Sequence, residues 1–196
     1  MPNLTGHLIN GGEYQLMRKL GSGAYGVVYS ACCIITPSLD RSARDYAVKV
    51  MRKAAMTSRV RHLVRREIAL HRLMSDHPGV VSVLDTFEDR NYVYIVMDQC
   101  LGGDLFGKIA EEKVFFKNDE LVKSLFIQMV DAVHACHRKS VFHRDLKPEN
   151  FLISKDGSKV YLSDFGLSTT NQVSQTFGCG SSAYMSPGKL PLQNCG

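Results

Sequence analysis

The octet His143-Arg144-Asp145-Leu146-Lys147-Pro148-Glu149-Asn150 holds more potential chemistry than any other stretch of this 196-residue chain. Asp145 can take the proton of a hydroxyl or hold that hydroxyl in place. Lys147 can neutralise a phosphoryl group in transit, and Asn150 offers an amide oxygen to a hard cation. Pro148 keeps the segment from becoming a helix. A plain surface loop would also be polar, but it has no reason to combine these residue types so densely. Downstream, Asp164-Phe165-Gly166 follows an apolar strand. Its carboxylate suits Mg2+, its ring suits packing and its glycine suits a flexible turn. Three residues recur by chance in many chains, so this triplet draws its weight from lying after the octet.

Nearer the start, residues 21–28 set Gly21, Gly23 and Gly26 in a G-x-G-x-x-G-x-V frame. A backbone without side chains can approach phosphate oxygens and present its N–H groups to them. A glycine-rich hairpin is the plainer alternative. A dinucleotide-binding turn is excluded, because its glycines must open a helix and Val27-Val28-Tyr29-Ser30-Ala31 is strand-forming. Lys49 lies in an alternating strand, Tyr46-Ala47-Val48-Lys49-Val50. Burying its ammonium is costly unless an anion meets it, and the alternative is an edge lysine that snorkels to water. Glu67, on the helix that follows, is the natural partner, although in isolation it reads as a surface glutamate.

Such side chains need elements to hold them. Residues 14–35 form two β-rich runs about the glycine turn, 45–53 give another strand, and 80–89 and 91–99 give two more. The polar run 36–45 is longer than a tight hairpin needs. Residues 58–75 space Val60, Leu63, Val64, Ile68 and Leu70 or Leu73 at near-helical intervals, and Asp76-His77-Pro78-Gly79 stops that helix. From Asn118 or Asp119, a suitable N-cap, Leu121, Leu125, Phe126, Met129, Val130 and Val133 make an amphipathic helix. Short strands in 141–154 and 159–169 follow. The chain therefore divides near residue 100 into a β-rich and a helical part, an α+β pattern without internal repeats.

The totals are those of a soluble globular protein: 44% hydrophobic, 22% charged, net charge +5. The basic residues are densest at Arg59, Arg61, Arg65 and Arg66, which read as a solvated helix face rather than a nucleic-acid site. The six cysteines show no C-x-x-C spacing and no matched histidines. That argues against zinc and for free thiols in a reducing intracellular compartment, cytoplasmic or nuclear. No leader opens the chain, and no apolar run approaches the ~18 residues of a membrane helix. Neither nucleic acid nor a membrane is an expected partner.

In this order and at these spacings, residues from about Tyr14 to Pro187 resemble the eukaryotic protein kinase family, serine/threonine type. The resemblance implies a protein kinase-like two-lobed α+β fold with ATP in the cleft. A β-rich N-lobe, a five-stranded sheet plus one helix, would occupy residues 1–100, and an incomplete, mainly helical C-lobe residues 101–187. Gly21, Ser22, Gly23 and Gly26 would then roof the phosphates, and Lys49, braced by Glu67, would hold the α- and β-phosphates. Met97 falls at the gatekeeper, and Asp98, Gln99 and Cys100 resemble the hinge that binds adenine. Val28, Ala47 and Leu152 join the nucleotide set, and Asp104 resembles an acid near ribose and substrate. Asp145 and Lys147 would be catalytic, while Asn150 and Asp164 would hold Mg2+. Lys147 points to a protein substrate with a serine or threonine acceptor, and Asp104 and Glu149 to a basic one. The stretch GCGSSAYMSP, residues 178–187, resembles a group of fungal serine/threonine kinases that includes regulators of meiosis and nutrient response.

The pattern breaks at its end. The family's Ala-Pro-Glu is here Ser186-Pro187-Gly188, and residues 188–196 have no apolar period and read as a foreign tail. The arginine that pairs with that glutamate, and the apolar helix on which the catalytic loop rests, have no counterpart. The expectation is a C-terminally truncated kinase with impaired transfer and an uncovered apolar face on the helix at 121–136. The alternatives are an inactive fragment that binds nucleotide or a partner, and a chain with no stable fold. His71 stands four residues after Glu67, where the family tends to have an apolar residue that packs onto Phe165. Ser174, Thr176, Ser181 and Ser182 lie in a stretch resembling an activation segment, where a phosphate would pair with Arg144. Ser181 falls where the family often has a threonine that contacts the catalytic loop.

Overall fold

The computed structural model describes residues 2–23, 26–35, 45–110, 115, 117–172 and 179–185. Most of the polar run 36–45, Ser174, Thr176 and the whole of 186–196, with its Ser186-Pro187-Gly188 ending, lie outside the described residues. By backbone proximity the chain forms two compact units, Met1–His62 with Val81–Cys100 and Leu63–Val80 with Leu101–Gly196. The architecture is α+β.

The first unit is an antiparallel sheet of β1 (Leu8–Ile9), β2 (Tyr14–Gly23), β3 (Gly26–Cys33), β4 (Tyr46–Arg52), β5 (Val83–Glu88) and β6 (Tyr92–Asp98), in the order β1-β2-β3-β4-β6-β5. Side chains alternate across a strand, so each strand commits every second residue to the core. Tyr29 and Ala31 of β3, Tyr46, Val48 and Val50 of β4, and Tyr94 and Val96 of β6 pack together on one face. The sheet has six strands where five are expected. The extra one, β1, is too short to show a period and is held beside β2, with the Leu16 amide donating to the His7 carbonyl at 2.9 Å.

The helix α1 (Ser58–Met74) belongs to the first unit up to His62 and to the second from Leu63. Its residues Leu70 and Met74 join Val80 in the core of the second unit. That packing places 63–80 with the second unit, where a boundary near residue 100 would have put them in the first. The inward stripe is Val64, Glu67, Leu70, His71 and Met74, so Leu70 faces in and Leu73 out. Two polar residues sit inside it, which a hydrophobic pattern cannot reveal.

The second unit adds α2 (Leu105–Ala110), α3 (Asp119–Arg138) and the antiparallel pair β7 (Phe151–Ile153) and β8 (Val160–Leu162). α3 starts where the sequence indicates: the Asn118 side chain accepts from the Leu121 amide at 3.2 Å. Asp119 and Glu120 in its first turn and His137 and Arg138 in its last complement the helix dipole. Leu125, Ala132, Ala135 and Cys136 are its buried residues. The apolar stripe is wider than the buried one, and Phe126 and Val130 turn outward.

Candidate active site

Residues 142–150 and 163–169 are laced together. Phe142 and Thr169 exchange amide–carbonyl bonds of 2.8 and 3.0 Å. Arg144 donates from Nε to the Leu167 carbonyl at 2.7 Å. The amide and hydroxyl of Ser163 both donate to the Asn150 carbonyl, at 2.8 and 2.9 Å. His143 Nε2 lies 2.9 Å from the Ser163 carbonyl. A carbonyl only accepts, so Nε2 carries the proton and Nδ1 is left to accept from the Asp145 amide at 3.4 Å. Burial pushes the His143 pKa down, against the Ser163 bond and the charges of Asp164 and Asp145, and keeps the imidazole neutral. Arg144 and Asp164 adopt left-handed φ values of 68° and 55°. Each costs about 1–3 kcal/mol, which the surrounding bonds offset.

Asp145 lies at the centre of this lacework. Its Oδ1 accepts the amide and the hydroxyl of Ser181, both at 2.8 Å. Its Oδ2 is 3.1 Å from the Lys147 ammonium and accepts from Asn150 Nδ2 at 3.1 Å. Lys147 also donates to the Ser181 hydroxyl at 2.7 Å. Burial raises the Asp145 pKa, but the bonds from Ser181, Lys147 and Asn150 and the Lys147 charge outweigh it, so the net shift is downward. Gly180 lets Ser181 come this close: its φ is 116°, and a Cβ there would stand 2.7 Å from the Arg144 carbonyl.

Phe165 is fully buried between two imidazoles. His71 stacks on it with ring centroids 4.6 Å apart, and His143 meets it edge-on at 5.0 Å. A histidine therefore does pack at the position where the resembled family has an apolar residue. Glu67 is only 3% exposed, not the surface glutamate it resembles in isolation. Its carboxylate would lie 3.5 Å from a Cβ on Gly166.

Val28, Ala47, Lys49 and Met97 of the first unit share a face, whereas Asp98 is paired with the core residue Tyr46 and falls on the other. β3–β4–β6 register pairs Val28 with Lys49 and Lys49 with Ile95, and pairs Ala47 with Met97. All of these project opposite to the Tyr29–Val48–Val96 core. Gly21 and Gly23 would meet nothing within 4 Å if given a Cβ, whereas one on Gly26 would stand 2.5 Å from the Val50 carbonyl. Ser22 is exposed, and Asp98 ends β6 with its amide on the Ser82 carbonyl at 3.1 Å. Burial, with the Asp98 charge, pushes the Cys100 thiol up to about 11, so it stays protonated.

In the second unit, Asp104 serves its own helix, because its Oδ1 accepts from the Gly107 amide at 2.9 Å and caps α2. Its backbone bridges to Leu152. Gly102 lies so close to the carbonyls of Ile153 and Ser154 that no Cβ fits, and Gly103 has a φ of 79°. The sequence by itself suggests no role for His143 or Gly180. Their only signals there are their positions, one heading the octet and the other preceding Ser181.

Asn150 and Asp164 fit a hard divalent cation. Asn150 spends its amide nitrogen on the Asp145 carbonyl at 2.7 Å and on Oδ2, so its oxygen is the atom that would serve a cation. Among the described residues no three His, Cys, Asp or Glu side chains converge. Mg2+ characteristically takes one or two protein ligands and completes its shell with phosphate and water, a requirement that two such residues would meet.

The protein kinase domain family matches residues 14–195. The "Negative regulator of sexual conjugation and meiosis" of Schizosaccharomyces pombe is 41% identical over 95% of this chain and 38% of its own length. "Serine/threonine-protein kinase ksp1" of the same yeast is 36% identical over 89% of this chain and 37% of its own. "Calcium-dependent protein kinase 14" of Arabidopsis thaliana is 36% identical over 93% and 34%. The chain thus spans little more than a third of the relatives it matches, and over that span it belongs to the protein kinase family.

Proposed function

We propose that the chain transfers the γ-phosphoryl group of ATP to a serine or threonine hydroxyl of a protein substrate. The observation that carries this reading is the Asp145 carboxylate, kept ionised and aimed by Ser181, Lys147 and Asn150 together. ATP supplies the transferable group, and Mg2+ offsets the charge on its oxygens. Asp145 orients the acceptor hydroxyl and takes its proton as the new O–P bond forms and the bond to ADP breaks. A carboxylate of lowered pKa is a weak base, which suits a loose transition state where positioning outweighs basicity. Lys147 neutralises the transferring group, while Asn150 and Asp164 are the cation's protein ligands. In the first unit, Gly21, Ser22, Gly23, Gly26 and Lys49 contact phosphate, while Val28, Ala47, Met97, Asp98 and Cys100 contact adenine. In the second, Leu152 and Asp104 flank the nucleoside, and Glu67 is the buried acid of the set. Serine or threonine as acceptor rests on Lys147 and on the name of the ksp1 relative.

A second reading, a nucleotide-binding module that transfers nothing, is favoured by one observation. Leu146 and Pro148 of the octet border an open apolar groove, so the loop has no packing there among the described residues. Incubation with ATP, Mg2+ and a generic basic protein separates the two. Phosphate incorporation that Asp164→Ala abolishes supports transfer. A thermal shift with ATP and Mg2+ but no incorporation supports the module. A folded sample showing neither overturns both.

A further inference from the structure

The arginines of α1 have no part in the candidate site. Arg61, Arg65 and Arg72 are exposed, and at 3.6 residues per turn they fall within about 40° of arc. The buried stripe of Val64, Glu67, Leu70, His71 and Met74 lies on the other side of the helix. Along the axis the three are about 6 and 10.5 Å apart, with the small Ala69 exposed between Arg65 and Arg72. All three stand on one continuous helix, so their spacing is set by that helix alone. Glu67 is the one acid of α1, and it is buried. The outer face therefore carries positive charge only.

Among the described residues nothing offsets that charge. No ion pair or side-chain hydrogen bond engages Arg61, Arg65 or Arg72 there, and the buried Nε of Arg66 beside them has no acceptor. Like charges four residues apart destabilise a helix. Arginines near its start also oppose the dipole, and no acid lies in the first turn. An anion laid along the row removes both penalties. A guanidinium takes a carboxylate through two parallel bonds, so a run of aspartates or glutamates fits the row. The apolar stripe of α1 is committed to the core, which leaves no face to enter a lipid surface. α1 has no Phe, Tyr or Trp to stack on a base, and the row is a single line rather than a broad basic surface. We propose that the outer face of α1 docks an acidic segment of a partner protein, whose carboxylates pair with Arg61, Arg65 and Arg72. This does not depend on whether the chain transfers phosphate.

Fluorescence anisotropy of a labelled Glu/Ala peptide, with its glutamates at the spacing of the row, tests the proposal on titration with the whole chain. The peptide should bind, and binding should weaken as salt rises. Arg61→Glu, Arg65→Glu and Arg72→Glu should each weaken it about tenfold by placing like charges together. Arg90→Glu makes the same charge change at an exposed arginine between β5 and β6, and should leave binding nearly unchanged. The triple variant at 61, 65 and 72 should instead bind the Lys/Ala version of the peptide. Arg61→Glu should melt no lower than the wild type, because it removes a like-charge neighbour and suits the start of the helix. Absence of binding overturns the proposal. Equal weakening by Arg90→Glu and Arg65→Glu also does, since the attraction is then to net charge alone. Tighter binding to oligo-dT or to phosphatidylserine vesicles than to the peptide overturns it as well. So does a lower melting temperature for Arg61→Glu, since the row is then paired within the chain.

Discussion

Ser181 gives both its amide and its hydroxyl to one oxygen of Asp145, each at 2.8 Å. Lys147 and Asn150 take the other oxygen, so the carboxylate's acceptor sites are full. Under the proposed function an incoming hydroxyl would displace one donor, and the neutral Ser181 hydroxyl is the least costly to move. Ser181→Ala keeps the amide bond but removes the hydroxyl that links Lys147 to Asp145. Urea denaturation should show a loss of about 1–2 kcal/mol, and phosphoryl transfer should fall. Ser181→Thr should retain both properties, because it keeps the hydroxyl.

Two groups of the site, the buried His143 and the half-buried Asp145, make folding sensitive to acid. His143 has a folded pKa depressed by burial. Its contribution is complete above the unfolded value of about 6.5 and fades as pH falls below it. Asp145 is also depressed, because its hydrogen bonds and Lys147 outweigh burial. Its contribution is complete above about 3.9 and fades below. Urea midpoints measured from neutral to acid pH should therefore decline in two steps. His143→Gln, a donor that does not titrate here, should flatten the upper step. Asp145→Asn should shrink the lower one without erasing it, since Asp89 is depressed too.

Local signals are legible where one stretch of chain carries them. Asn118 announces the start of α3, and alternation announces β4 and β6. The octet announces its own chemistry. α2 is not legible, because it is a six-residue helix whose capping acid, Asp104, reads as a ligand residue. The burial of Glu67 and His71 is hidden because both are polar on an inward stripe. Ser181 meets Asp145 across 36 residues of chain, a contact that no periodicity encodes and only the family resemblance suggests. The outward turn of Phe126 is unreadable for a related reason: the apolar stripe of α3 is broader than the surface that buries it.

Asp164 allows folding and chemistry to be separated. Its φ of 55° is tolerated by aspartate and glycine and disfavoured for alanine. Asp164→Gly should be more stable than Asp164→Ala by about 1 kcal/mol, read from thermal or urea melts. Both should lack phosphoryl transfer, because neither offers the cation a carboxylate. Chelating Mg2+ from the wild-type chain should reproduce that loss while leaving the melting temperature near its starting value.

The three glycines of the first turn make unequal demands. A methyl on Gly26 would stand 2.5 Å from the Val50 carbonyl and 2.9 Å from Met51 Cγ. β3 and β4 would have to part, so Gly26→Ala should cost about 1–3 kcal/mol. At Gly21 and Gly23 a Cβ meets nothing within 4 Å, and neither position has a left-handed φ. Alanine at either should fold as well as the wild type, with a gain of up to about 1 kcal/mol from the stiffer unfolded chain. If this turn covers phosphate, those same methyls occupy the ligand's side of the backbone. Gly21→Ala and Gly23→Ala should then keep the melting temperature of the free chain yet lose most of its rise with ATP and Mg2+. An undiminished rise in both variants would remove the turn from the nucleotide site.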